Sequence, residues 1–264
     1  MSGRLAVITG ATSGIGAAYA EAFAKQGYHL MLAGRRESEL GRLADRLTEQ
    51  YGINVQLQIG DLADHHDLHA LVDAVTLLPK LDALVNNAGY AVDGRLGDVD
   101  WSDHQALLDV HVLATTQLTH AALPNLVRAK GILINVASVA SWIPTGNSAL
   151  YGPTKAFIRS LTESIGLAYR ADGLKALALC PGFTITDFHS RMGLDPETFY
   201  QKKGFVRAWT ADQVVEQSFK DLSKGRLISV KGWNYKLLVF LVRHLPMSWL
   251  FAVLGRSKSA RFTK

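Results

Sequence analysis

The chain has 264 residues, of which 48% are hydrophobic and 19% are charged, and its formal net charge is +5 at pH 7. This length and apolar content indicate one α/β domain with a full core. The basic charge does not by itself indicate nucleic-acid binding, because there is no basic stripe with interleaved stacking residues. Cys180 is the single cysteine, which excludes an internal disulfide, and we predict that it is buried. The first residues, M-S-G-R-L-A-V, enter a strand directly, so we expect a cytoplasmic protein without a signal peptide.

Apolar strand-like runs alternate with amphipathic helical stretches along the chain. This alternation predicts a doubly wound parallel sheet covered by helices on both faces. No repeat or linker interrupts the order, so we take residues 1–230 as one domain and residues 231–264 as an extension packed on it. The predicted strands are Leu5–Thr9, Leu30–Ala33, Val55–Ile59, Leu81–Val85, Ile132–Val136, Leu174–Leu179 and Leu227–Val230.

A glycine-rich turn follows the first strand. Gly10, Gly14 and Gly16 lie in T-G-A-T-S-G-I-G, and Ala17–Lys25 is predicted to be a helix. A strand, glycine turn and helix in this order bring a pyrophosphate to the positive end of a helix, and glycine allows its close approach. The spacing is G-x-x-x-G-x-G and differs from the general dinucleotide fingerprint. A glycine-rich helix start without a ligand is therefore the alternative.

Two arginines follow the second strand, Tyr28–Ala33, in Gly34-Arg35-Arg36. An acidic residue at this point would hydrogen-bond the ribose 2′-OH and favour NAD. Arginines instead suit a 2′-phosphate, which a guanidinium binds bidentately. We therefore predict that NADP(H) is preferred over NAD(H), with Arg35 as the main contact and Arg36 as its helper or stacked on the adenine. Solvated charges at the start of the next helix are the alternative.

A histidine-rich stretch follows the third strand. His65, His66 and His69 lie near Asp67, and His65 and His69 are one helical turn apart. A solvated helix start is favoured over a metal site, because no set of ligands with a recognised spacing is present. We predict no metal.

Three side chains later in the chain could act on a substrate oxygen. Tyr151 and Lys155 stand four residues apart in Y-G-P-T-K, which puts them on one face of a helix. An ammonium beside a phenol can lower the phenol's pKa, and a serine such as Ser138 can hydrogen-bond the same oxygen. This trio predicts an acid/base device at a carbonyl or alcohol oxygen.

These motifs, in this order, resemble the classical short-chain dehydrogenase/reductase family from about Gly3 to Val230. The resemblance implies a single-domain, Rossmann-like sheet of about seven strands with a C-terminal amphipathic helical extension. It includes D-L after the third strand, N-N-A-G after the fourth and P-G-x-x-x-T after the sixth. The cofactor contacts that it implies, together with the two arginines, are Gly10, Ser13, Gly14, Ile15, Gly16, Arg35, Arg36, Asp61, Leu62, Asn87, Ala88, Gly89, Tyr151, Lys155, Pro181, Gly182, Thr184 and Thr186.

The implied activity is an NADP-dependent oxidoreductase that moves a hydride between nicotinamide and an apolar ketone or secondary alcohol. Ser138 would hold the substrate oxygen, and Tyr151 would exchange its proton. Lys155 would lower the pKa of Tyr151 and hold the nicotinamide ribose. A homodimer or homotetramer is implied as well. The alternatives are a non-catalytic, cofactor-bound regulatory protein and a membrane-peripheral binding protein.

Two residues depart from the family pattern. His111, in V-H-V-L-A, stands where the family usually has an asparagine that holds a water on the lysine. The imidazole could hold that water or could be a packed side chain, so it is not counted as catalytic. Pro153 follows Tyr151 closely, which is compatible with the first turn of a helix.

The substrate stretch and the C-terminal tail are both rich in apolar residues. We predict an apolar substrate pocket from the aromatic and methionine residues of the stretch and from Trp142 and Ile143. From Leu222 to Lys264 there are nine Lys/Arg and no Asp/Glu. We predict two short amphipathic helices meeting at Pro246, which pack on the enzyme or contact a membrane surface. The apolar residues of the stretch are Phe188, Met192, Leu194, Phe199, Tyr200, Phe205 and Trp209, with His189 among them.

Overall fold

The computed structural model describes residues 3–144, 147–186 and 207–246, in which strands and helices alternate along the chain. The strands are β1 (Arg4–Thr9), β2 (Tyr28–Gly34), β3 (Val55–Ile59), β4 (Ala83–Asn86), β5 (Ile132–Val136), β6 (Lys175–Leu179), β7 (Thr184–Ile185), β8 (Trp209–Thr210) and β9 (Ile228–Ser229). The helices are α1 (Gly14–Ala24), α2 (Glu37–Tyr51), α3 (His65–Thr76), α4 (Trp101–Leu108), α5 (Thr115–Arg128), α6 (Tyr151–Ala168), α7 (Ala211–Ser223) and α8 (Trp233–His244).

Seven of the described strands form one parallel sheet in the order β3-β2-β1-β4-β5-β6-β9. The strand order reverses between β1 and β4, and the loops at the carboxyl ends of such strands form the ligand crevice of open α/β sheets. The predicted Rossmann-like, doubly wound sheet of about seven strands is confirmed. A separate pair, β7 and β8, lies beyond the end of β6, with Thr184 opposite Trp209.

Two apolar layers cover the faces of the sheet. Helices α1, α2 and α7 bury one face, where Phe23 packs against Tyr19, Tyr28 and Phe219. Helices α3, α5 and α6 bury the other face. The strand bounds Val55–Ile59 and Ile132–Val136 are as predicted. Helix α1 begins three residues earlier than predicted, because the glycine turn itself forms its first turn.

The C-terminal extension begins as a helix, as predicted. Helix α8 buries Tyr235, Val239 and Val242 and leaves Trp233 and Phe240 exposed. Among residues 3–144, 147–186 and 207–246, no helix is long and apolar enough to cross a bilayer. Residues 187–206, which are most of the predicted substrate stretch, lie outside the described residues, as does the predicted second tail helix after Pro246. The membrane contact stays a prediction.

A chain of buried side-chain amides and hydroxyls joins the central strands to the helices behind them. Asn86 Nδ2 donates to Thr119 Oγ1 and to Asn135 Oδ1, both at 2.9 Å. Asn135 Nδ2 in turn donates to Thr162 Oγ1 at 2.9 Å. Because buried polar groups are costly without partners, this network holds β4, β5, α5 and α6 in one arrangement.

We expect Asn135→Ala to lower the free energy of unfolding by about 1–3 kcal/mol, because it takes one partner from each of two buried polar groups. Urea unfolding measures this change. The control is Asn54→Ala, the same substitution at an exposed position, which should change stability by less than about 0.5 kcal/mol. A loss in Asn135→Ala no larger than in this control would contradict the role of the network.

Candidate active site

The glycine turn after β1 is in close contact with the loop after β4. Asn87 Nδ2 donates to Thr9 O at 3.1 Å and to Gly10 O at 3.0 Å. The backbone N–H groups of Asn87 and Ala88 both donate to Thr9 Oγ1. A Cβ on Gly10, which has φ 63°, would lie 2.8 Å from Ala88 Cα, and a Cβ on Gly16 would lie 2.5 Å from Asn87 Nδ2. Glycine is therefore required by the packing of the two loops, as well as by any phosphate that approaches them.

The loop after β6 reaches the same turn. A Cβ on Gly14, which has φ 56°, would lie 2.8 Å from Thr186 Cγ2. Thr184 is buried, and its hydroxyl donates to Gly182 O at 3.1 Å. Pro181 is buried at the start of this loop, so the predicted P-G-x-x-x-T stretch lies beside the predicted phosphate turn. Ile15 is partly buried and packs on the core.

The two arginines after β2 have different partners. Arg36 Nη2 donates to Thr12 Oγ1 at 2.6 Å and lies 3.4 Å from Ser13 Oγ. Arg35 instead forms an exposed ion pair with Asp61, at 3.1 Å. An exposed pair contributes little to stability, so its arginine can change partner at small cost. Arg36, predicted as the helper, is the arginine that contacts the glycine turn.

The predicted adenine contacts lie on the same side of the crevice. Asp61 follows β3 and accepts a hydrogen bond from the backbone of Ala63 at 3.0 Å. Leu62 is partly buried against the second core layer. Nearby, Asp64, His66 and Asp67 have ligand atoms within 4.8 Å of one another. The carboxylate of Asp64 already caps α3 through two backbone N–H groups, so this group carries no metal proposal.

The structure brings Ser138, Tyr151 and Lys155 together at the carboxyl end of β5. Ser138 is the second residue after that strand, and its hydroxyl is hydrogen-bonded to the Tyr151 phenol. Tyr151 is the first residue of α6, with Pro153 in the first turn, where its missing N–H costs no helical hydrogen bond. Lys155 is buried one turn later, and its Nζ donates to Val136 O at 2.8 Å. The Nζ atom lies 5.8 Å from the centre of the Tyr151 ring.

Burial dominates the acid/base properties of this trio. It raises the pKa of Tyr151 to about 12, although the hydrogen bond from Ser138 opposes the change. This differs from the predicted lowering, which considered the nearby ammonium without the cost of burying the phenolate. Burial lowers the pKa of Lys155 to about 8. At neutral pH the phenol is therefore protonated and the lysine charged. Burial also raises the pKa of the Cys180 thiol to about 12, so that side chain stays neutral.

His111 is fully buried beside the trio, in a π-helical segment, Asp109–Ala114, that joins α4 to α5. Its Nε2 accepts from the backbone N–H of Tyr90 at 3.2 Å. Its Nδ1 lies 2.9 Å from Thr154 Oγ1, which itself donates to Tyr151 O at 3.0 Å. Because Nε2 is an acceptor, Nδ1 carries the proton and donates it to Thr154. Burial, followed by the charge of Lys155, holds the pKa of His111 well below its usual value.

Gly89 packs closely against His111 and Lys155. A Cβ at this position would be 2.8 Å from His111 Nε2 and 3.3 Å from Lys155 Nζ. Two further residues at the site, Thr154 and Tyr90, were not predicted. Thr154 could have been found from its position three residues after Tyr151, on the same helical face. Tyr90 contacts His111 through its backbone N–H and, edge to face at 6.1 Å, through its ring, and the sequence contains no signal for either contact.

The sequence matches the family model described as short chain dehydrogenase over residues 4–196. Serine 3-dehydrogenase of Rhizobium radiobacter is 35% identical over 238 residues, which are 88% of this chain and 92% of that protein. The very-long-chain 3-oxoacyl-CoA reductase of Anas platyrhynchos is 30% identical over 207 residues, which are 75% of this chain and 66% of that protein. A solved short-chain dehydrogenase from Sphingobium yanoikuyae, in complex with NADPH, aligns with a TM-score of 0.81 at 27% identity and covers 99% of this chain and 96% of that one. This chain therefore belongs to the short-chain dehydrogenase family.

Proposed function

We propose that the protein is an NADP(H)-dependent oxidoreductase that acts on a ketone or the corresponding secondary alcohol. The observation that carries this proposal is the convergence of Ser138, Tyr151 and Lys155 beside the glycine turn, at the end of the sheet where the strand order reverses. Three loops meet there so closely that a Cβ at Gly10, Gly14 or Gly16 would clash. Such a turn before a helix fits a pyrophosphate.

The trio can supply the proton that the reaction needs. When bound, nicotinamide supplies the hydride in reduction and accepts it in oxidation. The Ser138 hydroxyl would hold the carbonyl oxygen, on which negative charge develops, and Tyr151 would give its O–H proton to that oxygen. The resulting phenolate would be stabilised by the Lys155 ammonium, which also fits the ribose hydroxyls that the family resemblance assigns to it. The raised pKa of the phenol keeps its proton in place until the substrate oxygen becomes basic.

The arginines after β2 support NADP(H) over NAD(H). Residue 34, at the end of β2, is a glycine, so no carboxylate is available there for a ribose 2′-OH. Arg36 is held at the glycine turn by Thr12, and Arg35 lies in an exposed pair that a phosphate can replace. We propose that both guanidinium groups bind the 2′-phosphate. The Sphingobium yanoikuyae structure, which contains NADPH, supports this choice.

The substrate is proposed to be apolar. Relatives are named for serine and for very-long-chain 3-oxoacyl-CoA, so the family likeness spans polar and apolar substrates. Our proposal rests on the aromatic composition of the predicted substrate stretch and on Ile143, which follows Ser138 closely in the sequence. The Trp142 ring is partly buried and packs on the Arg159 guanidinium at 4.7 Å, and its place in the pocket wall stays a prediction. We also propose that the enzyme is a homodimer or homotetramer, as the resemblance implies.

We expect Tyr151→Phe to reduce kcat at least about 100-fold while leaving NADPH binding within about threefold, because the ring stays and only the proton donor is lost. NADPH oxidation with a panel of apolar ketones, 2-oxo acids and 3-oxoacyl thioesters measures this, with fluorescence titration for binding. The matched control is Tyr169→Phe, at the other end of α6, which should retain full activity. Turnover in Tyr151→Phe close to that of the control would refute the assigned role.

We expect Arg35→Ala and Arg36→Ala each to raise KM for NADPH by roughly 10-fold to 100-fold, because each removes a charge-assisted hydrogen bond to the 2′-phosphate. KM for NADH should change by less than about threefold. The control is Arg46→Ala, which removes an arginine that pairs with Glu21 away from the turn. Equal effects of the arginine substitutions on both cofactors would argue against phosphate recognition.

We expect His111→Asn to reduce kcat/KM by no more than about 10-fold and to leave its pH profile between pH 5.5 and 7.5 unchanged. The reason is that the buried imidazole has a lowered pKa and is already neutral across this range, so no proton enters or leaves it. Initial rates across the range provide the measurement. Disappearance of an acidic limb in the variant would show that the imidazole does ionise during turnover.

A further inference from the structure

Tyr235 of α8 lies outside the predicted site but joins two segments that border it. Its side chain is 2% exposed. The hydroxyl accepts a hydrogen bond from Phe183 N at 3.1 Å and donates one to Arg207 O at 3.0 Å. One phenol therefore connects the loop after β6 to the residues that lead into β8.

The ring of Tyr235 fixes the same loop by close packing. A Cβ on Gly182 would lie 2.3 Å from Tyr235 Cζ and within 2.5 Å of two more ring carbons. The ring belongs to a buried cluster that includes Ala137 and Cys180. These two residues directly precede Ser138 and Pro181, so the cluster that contains the ring lies at the base of both active-site loops.

Backbone hydrogen bonds transmit the position of this loop to the active site. Ala137 N donates to Leu179 O at 2.7 Å, and Val139 N donates to Pro181 O at 3.0 Å. The serine between them, Ser138, is thus held on both sides by the chain that runs into Gly182. At its other end the loop reaches Thr186, which abuts Gly14 of the glycine turn.

The short strands at this place cannot hold the loop alone. The pair of β7 and β8 has two residues in each strand, a length at which ladder hydrogen bonds contribute little. Trp209 of β8 adds packing, because the Arg207 guanidinium stacks on its ring at 3.6 Å. The backbone N–H of Trp209 donates to Phe183 O at 3.0 Å, and Tyr235 adds one hydrogen bond to each of the two segments, at Phe183 N and Arg207 O.

We propose that Tyr235 is a positioning residue that holds the Pro181–Thr186 loop in place for the nicotinamide half of the cofactor, so that the C-terminal helix is part of the active site. This inference rests on the proposed function. It assigns a role to an element that the sequence predicts only as a packed or membrane-contacting tail. The residue acts through the loop backbone and need not touch the substrate.

The test compares two ligands in Tyr235→Phe, which keeps the ring and removes both hydrogen bonds. NADPH spans the site, whereas 2′,5′-ADP carries only the adenosine and 2′-phosphate half. We expect the Kd for NADPH to rise roughly 5-fold to 10-fold and the Kd for 2′,5′-ADP to stay within about twofold. Gly182→Ala adds a methyl group that would clash with the Tyr235 ring. It should give the same pattern of dissociation constants for the two ligands, and it should lower kcat by a larger factor than it changes KM.

The matched control is Tyr19→Phe, which removes the hydrogen bond of another buried phenol, to Ser218 Oγ at 2.7 Å, in the core between α1 and α7. It should lower stability while leaving both dissociation constants unchanged. No change in NADPH affinity in Tyr235→Phe, or an equal loss for the two ligands, would overturn the positioning role and leave the proposed function standing. Failure of the unmodified protein to bind either ligand would overturn the proposed function, and this inference with it.

Discussion

A buried ammonium group constrains the whole site. Lys155 is 4% exposed, and burying a charge costs several kcal/mol unless it is hydrogen-bonded and compensated. Val136 O accepts from one of its three N–H donors, and that carbonyl is available because β5 ends there. The end of β5 therefore fixes the position of the Lys155 ammonium, and its charge limits which side chains can pack next to it.

The imidazole of His111 lies next to this ammonium and is neutral. Burial is the larger cause that holds its pKa well below the usual value, and repulsion by the charge of Lys155 is the second. Its Nε2 acts as an acceptor for the Tyr90 backbone, and its Nδ1–H fixes Thr154 and, through it, the first turn of α6. A neutral histidine at this position can accept one hydrogen bond and donate another, whereas a protonated imidazole could only donate.

The sequence predicts the parts of the site that depend on local geometry. The glycine spacing, the four-residue separation of Tyr151 and Lys155, and the alternation of strands and helices each follow from a few neighbouring residues. The sign of the pKa change at Tyr151 does not, because burial arises only when distant segments pack over the phenol. Tyr235 is invisible for the same reason: its partners, Phe183 and Arg207, are 52 and 28 residues away in the chain.

The C-terminal helix shows how a family fold acquires a site-specific support. A parallel sheet places loops at its carboxyl edge but gives them few hydrogen bonds, since each loop leaves the ladder where it begins. The loop after β6 must be placed to within less than about 1 Å, because misplacement of that size can cost about 100-fold in rate. In this protein the phenol of Tyr235 supplies the missing contacts, and the flat ring fits only because residue 182 has no side chain. Tyr235 of the extension and Gly182 of the loop therefore depend on each other. A change in either should alter the position of Ser138 more than it alters the stability of the fold.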